Sequence, residues 1–357
     1  MRRVEFAELQ GRMELVLLAL GVAPARAALG ARLIAETDRD GVRTHGIARL
    51  PRFAQWVKSG LIDPRAGPEK VAGFGALERW TGRRGPGNLA AYSAMQRAME
   101  LAREHGLGCV ALADTSHWMR GGTYGWQAAD AGFAALCWSN TLPNMPPWGA
   151  GGAALGNNPL VIGIPRRVLS SGEGQGHSAP IVLDMAMSQF SYGTLASYRA
   201  RGEPLPVPGG YNEYGRLTTD AAAIERSQRA LPIGYWKGSG LAFVLDVLAA
   251  MLSGGLATHD LSPDPLQEVG QSQVFLAIAP AFVETIEELS RFAQGAGVAQ
   301  RSIDALHAAK PIHSGEPVRY PGEGTLRTRE ESLLRGVAVE DSAWDAFVQL
   351  EMELSHA

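Results

Sequence analysis

The chain has 357 residues, 46% of them hydrophobic, with 33 basic residues against 36 acidic ones and a formal net charge of -3. That length supports two or three packed units, and the charge balance leaves neither a basic field for nucleic acid nor an acidic tail. The 43 glycines and 21 prolines follow no period, and two cysteines exclude a disulfide framework or a cysteine-based zinc site.

The opening MRRVEFAELQ runs into an amphipathic pattern without the apolar core and cleavage site of a signal peptide. The longest apolar runs read as short of the roughly 18 residues that span a bilayer. These features predict a soluble, cytoplasmic protein, with neither membrane nor nucleic acid among its partners. Phe6, Leu9, Met13, Val16, Leu17 and Leu20 recur at helical spacing up to Gly21. Pro24 then opens a second helix running toward Asp38–Asp40. The stretch from Thr44 to about Ser59 reads as a third helix or a pair of short ones.

A Gly/Pro/Arg-rich stretch from Gly60 to Gly87 marks a boundary, after which the pattern changes. Asn88 is placed to cap a helix carrying Ala91, Met95, Ala98 and Ala102, ended by Gly106. Strands are predicted at Cys109–Ala113, Phe133–Ser139, Leu160–Ile164, Ile181–Met185 and Gln273–Ala279. Helices are predicted near Thr123–Ala131 and at Gly238–Leu252, and such alternation indicates an α/β domain. Helix returns at Val283–Ala293 and near Ala343–Leu354. Two loops stand out: the polar Ser170–Ser178, and the long Thr141–Pro159 with its Pro and Trp residues.

Standard motifs are mostly missing: no phosphate-binding GxxxxGK[ST], no HExxH and no GxSxG occur. The eight histidines include no pair at metal-ligand spacing on one helix, so no metal site is expected. Gly149–Ala154 imitates a dinucleotide fingerprint, but Pro143, Pro146 and Pro147 stand where its strand should be.

Three polar clusters remain. In GVRTHGIARLPRF, a helix starting near Thr44 would put His45 and Arg49 at i and i+4 on one face. An imidazole beside a guanidinium suits an acidic substrate; a helix-start histidine and a surface arginine would give the same pattern. In DTSHWMRGGTYG, His117 and Arg120 follow a strand, where α/β folds place ligands. An ordinary strand-to-helix loop is the alternative. In YWKGSG, Lys237 is one of four lysines and stands between glycines at a helix start, either an anion site or a solvated loop. Asp184, ending IVLDMA, could orient a histidine or cap a turn.

Together with CWSNTLPNMPPWGAGGAALGNNPLVIGIP, IVLDMAMSQFSYG and LPIGYWKGSGLAFVLDVLAAMLSGG, these segments resemble the malate/L-lactate dehydrogenase family of NAD(P)-dependent oxidoreductases. That family is unrelated to the Rossmann-type lactate dehydrogenases, and the likeness runs from about residue 4 to about residue 350 in the right order and spacing. The HWMRGGTYGWQAA, MPPWGA, FSYG and GYWKGSG segments look most like its members that reduce sugar-derived 2-oxo acids. The resemblance implies a homodimer using NAD(H) or NADP(H) to reduce a small 2-oxo acid to its 2-hydroxy acid. It implies an α/β fold with a non-Rossmann mixed-sheet cofactor domain plus a helical domain built from both chain ends. Residues 1–75 and 283–357 would form the helical part, and residues 76–282 the cofactor-binding and catalytic part.

Carried over residue by residue, His45 matches the general acid/base histidine, His117 a second active-site histidine, and Asp184 the family aspartate of that strand. Arg49 would face the substrate carboxylate, with Thr44 and Arg120 also touching substrate. Cofactor contacts would fall on Asn140, on Ile181, Val182, Leu183, Asp184, Met185 and Ala186, on Trp236 and Lys237, and on Gly322, Glu323 and Gly324. Thr44 stands where many members have serine, Asn157 replaces a common threonine, and the Ser170–Ser178 loop is longer than in relatives. Malate, lactate, ureidoglycolate and cyclic-imine enzymes share the scaffold, and a non-catalytic sugar-acid binder on it is the alternative of another class.

Overall fold

The computed structural model describes residues 1–167, 177–279, 295–313 and 315–356. In chain order the first elements are β1 (Arg2–Val4), α1 (Phe6–Ala19), α2 (Pro24–Arg39) and α3 (Leu50–Lys58). There follow β2 (Glu69–Phe74), β3 (Leu77–Thr81), α4 (Gly87–His105), β4 (Leu107–Ser116), α5 (Gly122–Asp130), β5 (Ala134–Ser139), β6 (Leu160–Arg167) and β7 (His177–Met185). Next come α6 (Tyr192–Arg201), β8 (Gly210–Tyr211), β9 (Leu217–Thr218), α7 (Ala221–Ser227), α8 (Trp236–Ser253) and β10 (Val269–Ile278). The chain ends with α9 (Gly295–His307), α10 (Glu323–Arg335), β11 (Val337–Val339) and α11 (Asp341–Ser355).

Seven strands form one mixed sheet in the order β2-β3-β4-β10-β5-β6-β7. Only β3 and β4 run parallel; the other neighbours are antiparallel. This is not the doubly wound parallel order of a Rossmann domain. The alanine stripe predicted on α4 exists for packing: Ala91, Ala94, Ala98 and Ala102 are fully buried, and their small side chains let the helix lie close against the sheet. Asn88 sits inside that helix rather than capping it, and Gly106 ends it in the left-handed region at φ 81°.

A second core joins both chain ends. Leu9, Met13 and Leu17 of α1, Ile34 of α2, and Phe53 and Trp56 of α3 bury against Trp344, Phe347 and Leu350 of α11. Strand β1 pairs antiparallel with β11, tying the first residues to the last helices.

The structure differs from the sequence expectations at several points. The Gly60–Gly87 stretch contains the β2–β3 hairpin, whose outer strand is fully exposed and so carries no alternating apolar signal. Strands β4, β7 and β10 outrun the predicted ones because polar residues continue them beyond their apolar centres. The apolar run taken as too short for a bilayer becomes α8, long and apolar enough to span one by length and composition. It lies instead across the sheet, burying Ala242, Leu245 and Ala249. The Val283–Ala293 helix and residues 170–176 of the polar loop lie outside the described residues.

Candidate active site

The site begins where α2 hands over to the His45 turn. A continuous helix from Thr44 was expected to align His45 with Arg49. Two 3-10 turns, Arg43–His45 and Ile47–Arg49, stand there instead, broken at Gly46. The buried carboxylate of Asp38 packs against Gly46 at the break and leaves no room for a Cβ there. That carboxylate accepts the Ile47 N–H at 2.7 Å. His45 and Arg49 therefore reach the same cavity from separate turns rather than from one helical face.

The cavity has a volume of about 480 Å³, well within the range of small-molecule sites. From the first turns it takes Thr44, His45 and Arg49; from the β4–α5 loop His117 and Arg120; and from the end of β7 Asp184 and Ala186. The two imidazoles stack with ring centroids 5.5 Å apart. His45 Nδ1 lies 2.8 Å from the Thr44 hydroxyl, while His117 Nδ1 accepts the Met119 N–H at 3.0 Å. That bond places the hydrogen of neutral His117 on Nε2. Burial, and then the charges of Arg49 and Arg120, push His45 down to about 3. Burial, Arg49 and His45 itself hold His117 well below the usual imidazole range.

Arg120 is held from behind. Its Nη1 donates to Asp40 at 2.7 Å, and Arg329 and Arg39 donate to the same carboxylate. Its Nε is buried and without a partner among the described residues. Asp184 accepts the Gly122 N–H at 2.8 Å, and the charge of Arg120 beside the same glycine acts on it.

Several lining groups carried no role in the sequence reading. Glu268, just before β10, lies 3.6 Å from Arg49 and 3.9 Å from His117. Ser191 caps α6, Tyr192 donates to the Asn144 carbonyl, and Gly193 lies against Thr44, where any Cβ would collide with that side chain. Asn144 and Asn157 bond each other on the opposite wall. The FSYG segment signalled the α6 contribution; nothing local signalled Glu268.

Other expected positions lie elsewhere. Asn140 is fully buried at a polar junction, donating to Asp246 and Leu256 and accepting from Ser272. Ile181, Val182 and Leu183 precede Asp184 along β7 and do not line the cavity, Met185 packs with Met145, Leu155 and Met187 instead, and Gly322 rests against Val182. Glu323 accepts the Tyr320 N–H, with Gly324 beside it in α10. Trp236 and Lys237 are exposed at the start of α8. Among the described residues no group of His, Cys, Asp and Glu is arranged to hold a metal ion.

A family model described as malate/L-lactate dehydrogenase matches residues 4–348. The chain is 41% identical over 343 residues to a 2,3-diketo-L-gulonate reductase of Citrobacter koseri, covering 96% of this chain and 98% of that one. It is 42% identical, with the same coverage, to the enzyme of that name from Klebsiella pneumoniae. A malate dehydrogenase of Entamoeba histolytica superposes with a TM-score of 0.88 over 99% of this chain and 98% of that one. At 20% identity that last likeness shows the fold alone.

Proposed function

This chain belongs to the malate/L-lactate dehydrogenase family of nicotinamide-dependent oxidoreductases, and we propose that it reduces the 2-oxo group of a sugar-derived acid of the 2,3-diketo-L-gulonate type, with NADH or NADPH as donor. The observation that carries the reading is the convergence of His45, His117 and Arg49 on one cavity that Asp184 and Ala186 also line. The full-length likeness to two reductases of that name supports the substrate class.

The cavity fits a nicotinamide and a small acid together. Its volume is too large for a three-carbon acid alone, and Arg120 Nε, unpartnered among the described residues, offers a buried donor to a polar ligand. A bound reduced nicotinamide supplies the hydride that the carbonyl carbon accepts. Arg49 holds the substrate carboxylate through its planar fork, which fixes where the carbonyl lies. His45, its Nδ1 engaged by Thr44, delivers a proton from Nε2 to the forming alkoxide. Arg49 is the leading charge that depresses both imidazoles, so a carboxylate docked on it restores their basicity as substrate arrives. His117, Arg120 and Thr44 orient the remaining substrate oxygens, and Asp184 steadies the α5 N-terminus beside them.

The working form is a cytoplasmic homodimer. Phe243, Val244, Leu248 and Met251 of α8 are between 40% and 66% exposed, a long apolar face that a second copy covers. Initial rates with 2,3-diketo-L-gulonate, pyruvate, oxaloacetate and a cyclic imine, each with NADH and NADPH, test the function. The highest kcat/KM is expected with diketogulonate. No consumption of either reduced nucleotide with any of these acids would overturn the reading.

A further inference from the structure

We propose that Glu268 is a positioning carboxylate for this reduction, sharing Arg49 with the substrate and holding the proton of the imidazole pair in the site. It is 8% exposed, lines the cavity, and enters it from the segment just before β10, far in sequence from every other member. Its Oε2 lies 3.6 Å from Arg49 Nη1 and its Oε1 lies 3.9 Å from His117 Nε2. Both are charge contacts rather than hydrogen bonds.

The surrounding charges make this carboxylate matter. Arg49 and Arg52 approach from the first helical unit and Arg120 from the β4–α5 loop, around His45 and His117. Of the other carboxylates lining the cavity, Asp184 accepts the Gly122 N–H and Glu340 enters from the position just before α11, while Asp40, behind Arg120, is held by three arginines. Burial raises Glu268 above the usual carboxylate range, and Arg49 and then Arg52 offset only part of that. Because His117 Nδ1 is taken by the Met119 N–H, the hydrogen on Nε2 points toward the Glu268 side. The Met119 N–H holds the ring, and the carboxylate beside it favours a proton on the imidazole pair. The carboxylate also occupies part of the Arg49 fork that a substrate carboxylate needs.

This inference rests on the reading of the site as a 2-oxo acid reductase, so its test includes a measurement without turnover. Glu268→Gln keeps the shape and removes the charge. In that variant the pH above which reduction slows should move toward acid by about one unit or more. At pH 7.5 kcat should fall about tenfold, while KM for the oxo acid stays level or falls because Arg49 is freed. Glu268→Asp should lie between the two, and it carries the test alone if E268Q does not fold. Binding of oxalate, followed by calorimetry in two buffers, should be tighter in E268Q and take up fewer protons than in wild type. An inactive wild type would sink the reductase reading while oxalate still decides the role of Glu268. An unmoved pH profile with unchanged proton uptake, or a KM that rises as kcat falls, overturns the proposal.

Discussion

His45 and His117 stack with their ring planes inclined by only 21°, although one lies in a turn after α2 and the other in the loop after β4. Rings so placed share one electrostatic environment, and a proton on one opposes a proton on the other. The two rings are therefore expected to titrate as one unit, whose proton affinity Arg49 lowers at both.

The first expectation concerns which ring delivers the proton. His45→Ala should lower kcat by about 10²–10⁴-fold, the usual worth of a positioned general acid. His117→Ala should act mainly on KM, since its Nδ1 is already committed to Met119. Steady-state kinetics of both variants decide it. A near-normal kcat in H45A with a dead H117A would exchange the two roles.

Arg49→Lys retains charge but loses the planar fork. A charge-assisted, two-point contact is worth about 1.5–3 kcal/mol, so kcat/KM for the oxo acid should drop by about ten- to a hundredfold. NADH binding, titrated by fluorescence, should be unaffected. Equal weakening of both ligands would remove Arg49 from the carboxylate site.

Asp40 is 3% exposed and receives hydrogen bonds from Arg39, Arg120 and Arg329, joining α2, the β4–α5 loop and α10. Burial alone would raise its pKa, but Arg329, Arg120 and Arg39 more than offset that and hold it well below the usual carboxylate range. Asp40→Asn leaves buried arginines uncompensated and should cost about 3–5 kcal/mol in denaturant unfolding. A carboxyl with a depressed folded pKa stabilises fully above its unfolded value of about 3.9. That contribution is lost as pH falls further, so wild type should lose melting temperature more steeply than D40N below about pH 4.

Asp38 behaves oppositely: burial pushes it up to about 8, against the Ile47 N–H and the nearby Arg43. Its contribution is present in full below about pH 3.9 and declines as pH rises from there through about 8. Asp38→Asn keeps an acceptor for Ile47 and should show a flatter melting profile than wild type between about pH 4 and 8. Asp38→Ala leaves a buried N–H unpaired, should cost about 1–3 kcal/mol, and should slow turnover by loosening the His45 turn. Matching melting profiles for wild type and D38N would remove the buried-acid explanation.

Val244→Glu places a charge in the exposed apolar face of α8. Sedimentation should show a dimer for wild type and a monomer for V244E. Because Trp236 and Lys237 open the same helix, NADH affinity should fall with dimerisation if those two residues meet the cofactor. A dimer unaffected by V244E places the interface elsewhere.

From the sequence alone, helical periodicity placed α1, α2, α4 and α8, apolar runs placed the centres of five strands, and ordered segments carried the family likeness. Those signals are local, because an element writes its buried face into the spacing of its own residues. The candidate histidines and Arg49 were legible for the same reason, as residue types inside recognisable segments. That they share one site followed from the family likeness, but the way they meet did not: the chain breaks at Gly46, against Asp38, and the helix that would have aligned His45 with Arg49 does not form. Glu268 beside Arg49, Arg329 on Asp40 and Gly193 against Thr44 join groups remote in the chain. Such pairings leave no periodic trace, since charge and steric fit act through space; only the packing of the sheet against the helical unit brings them within reach.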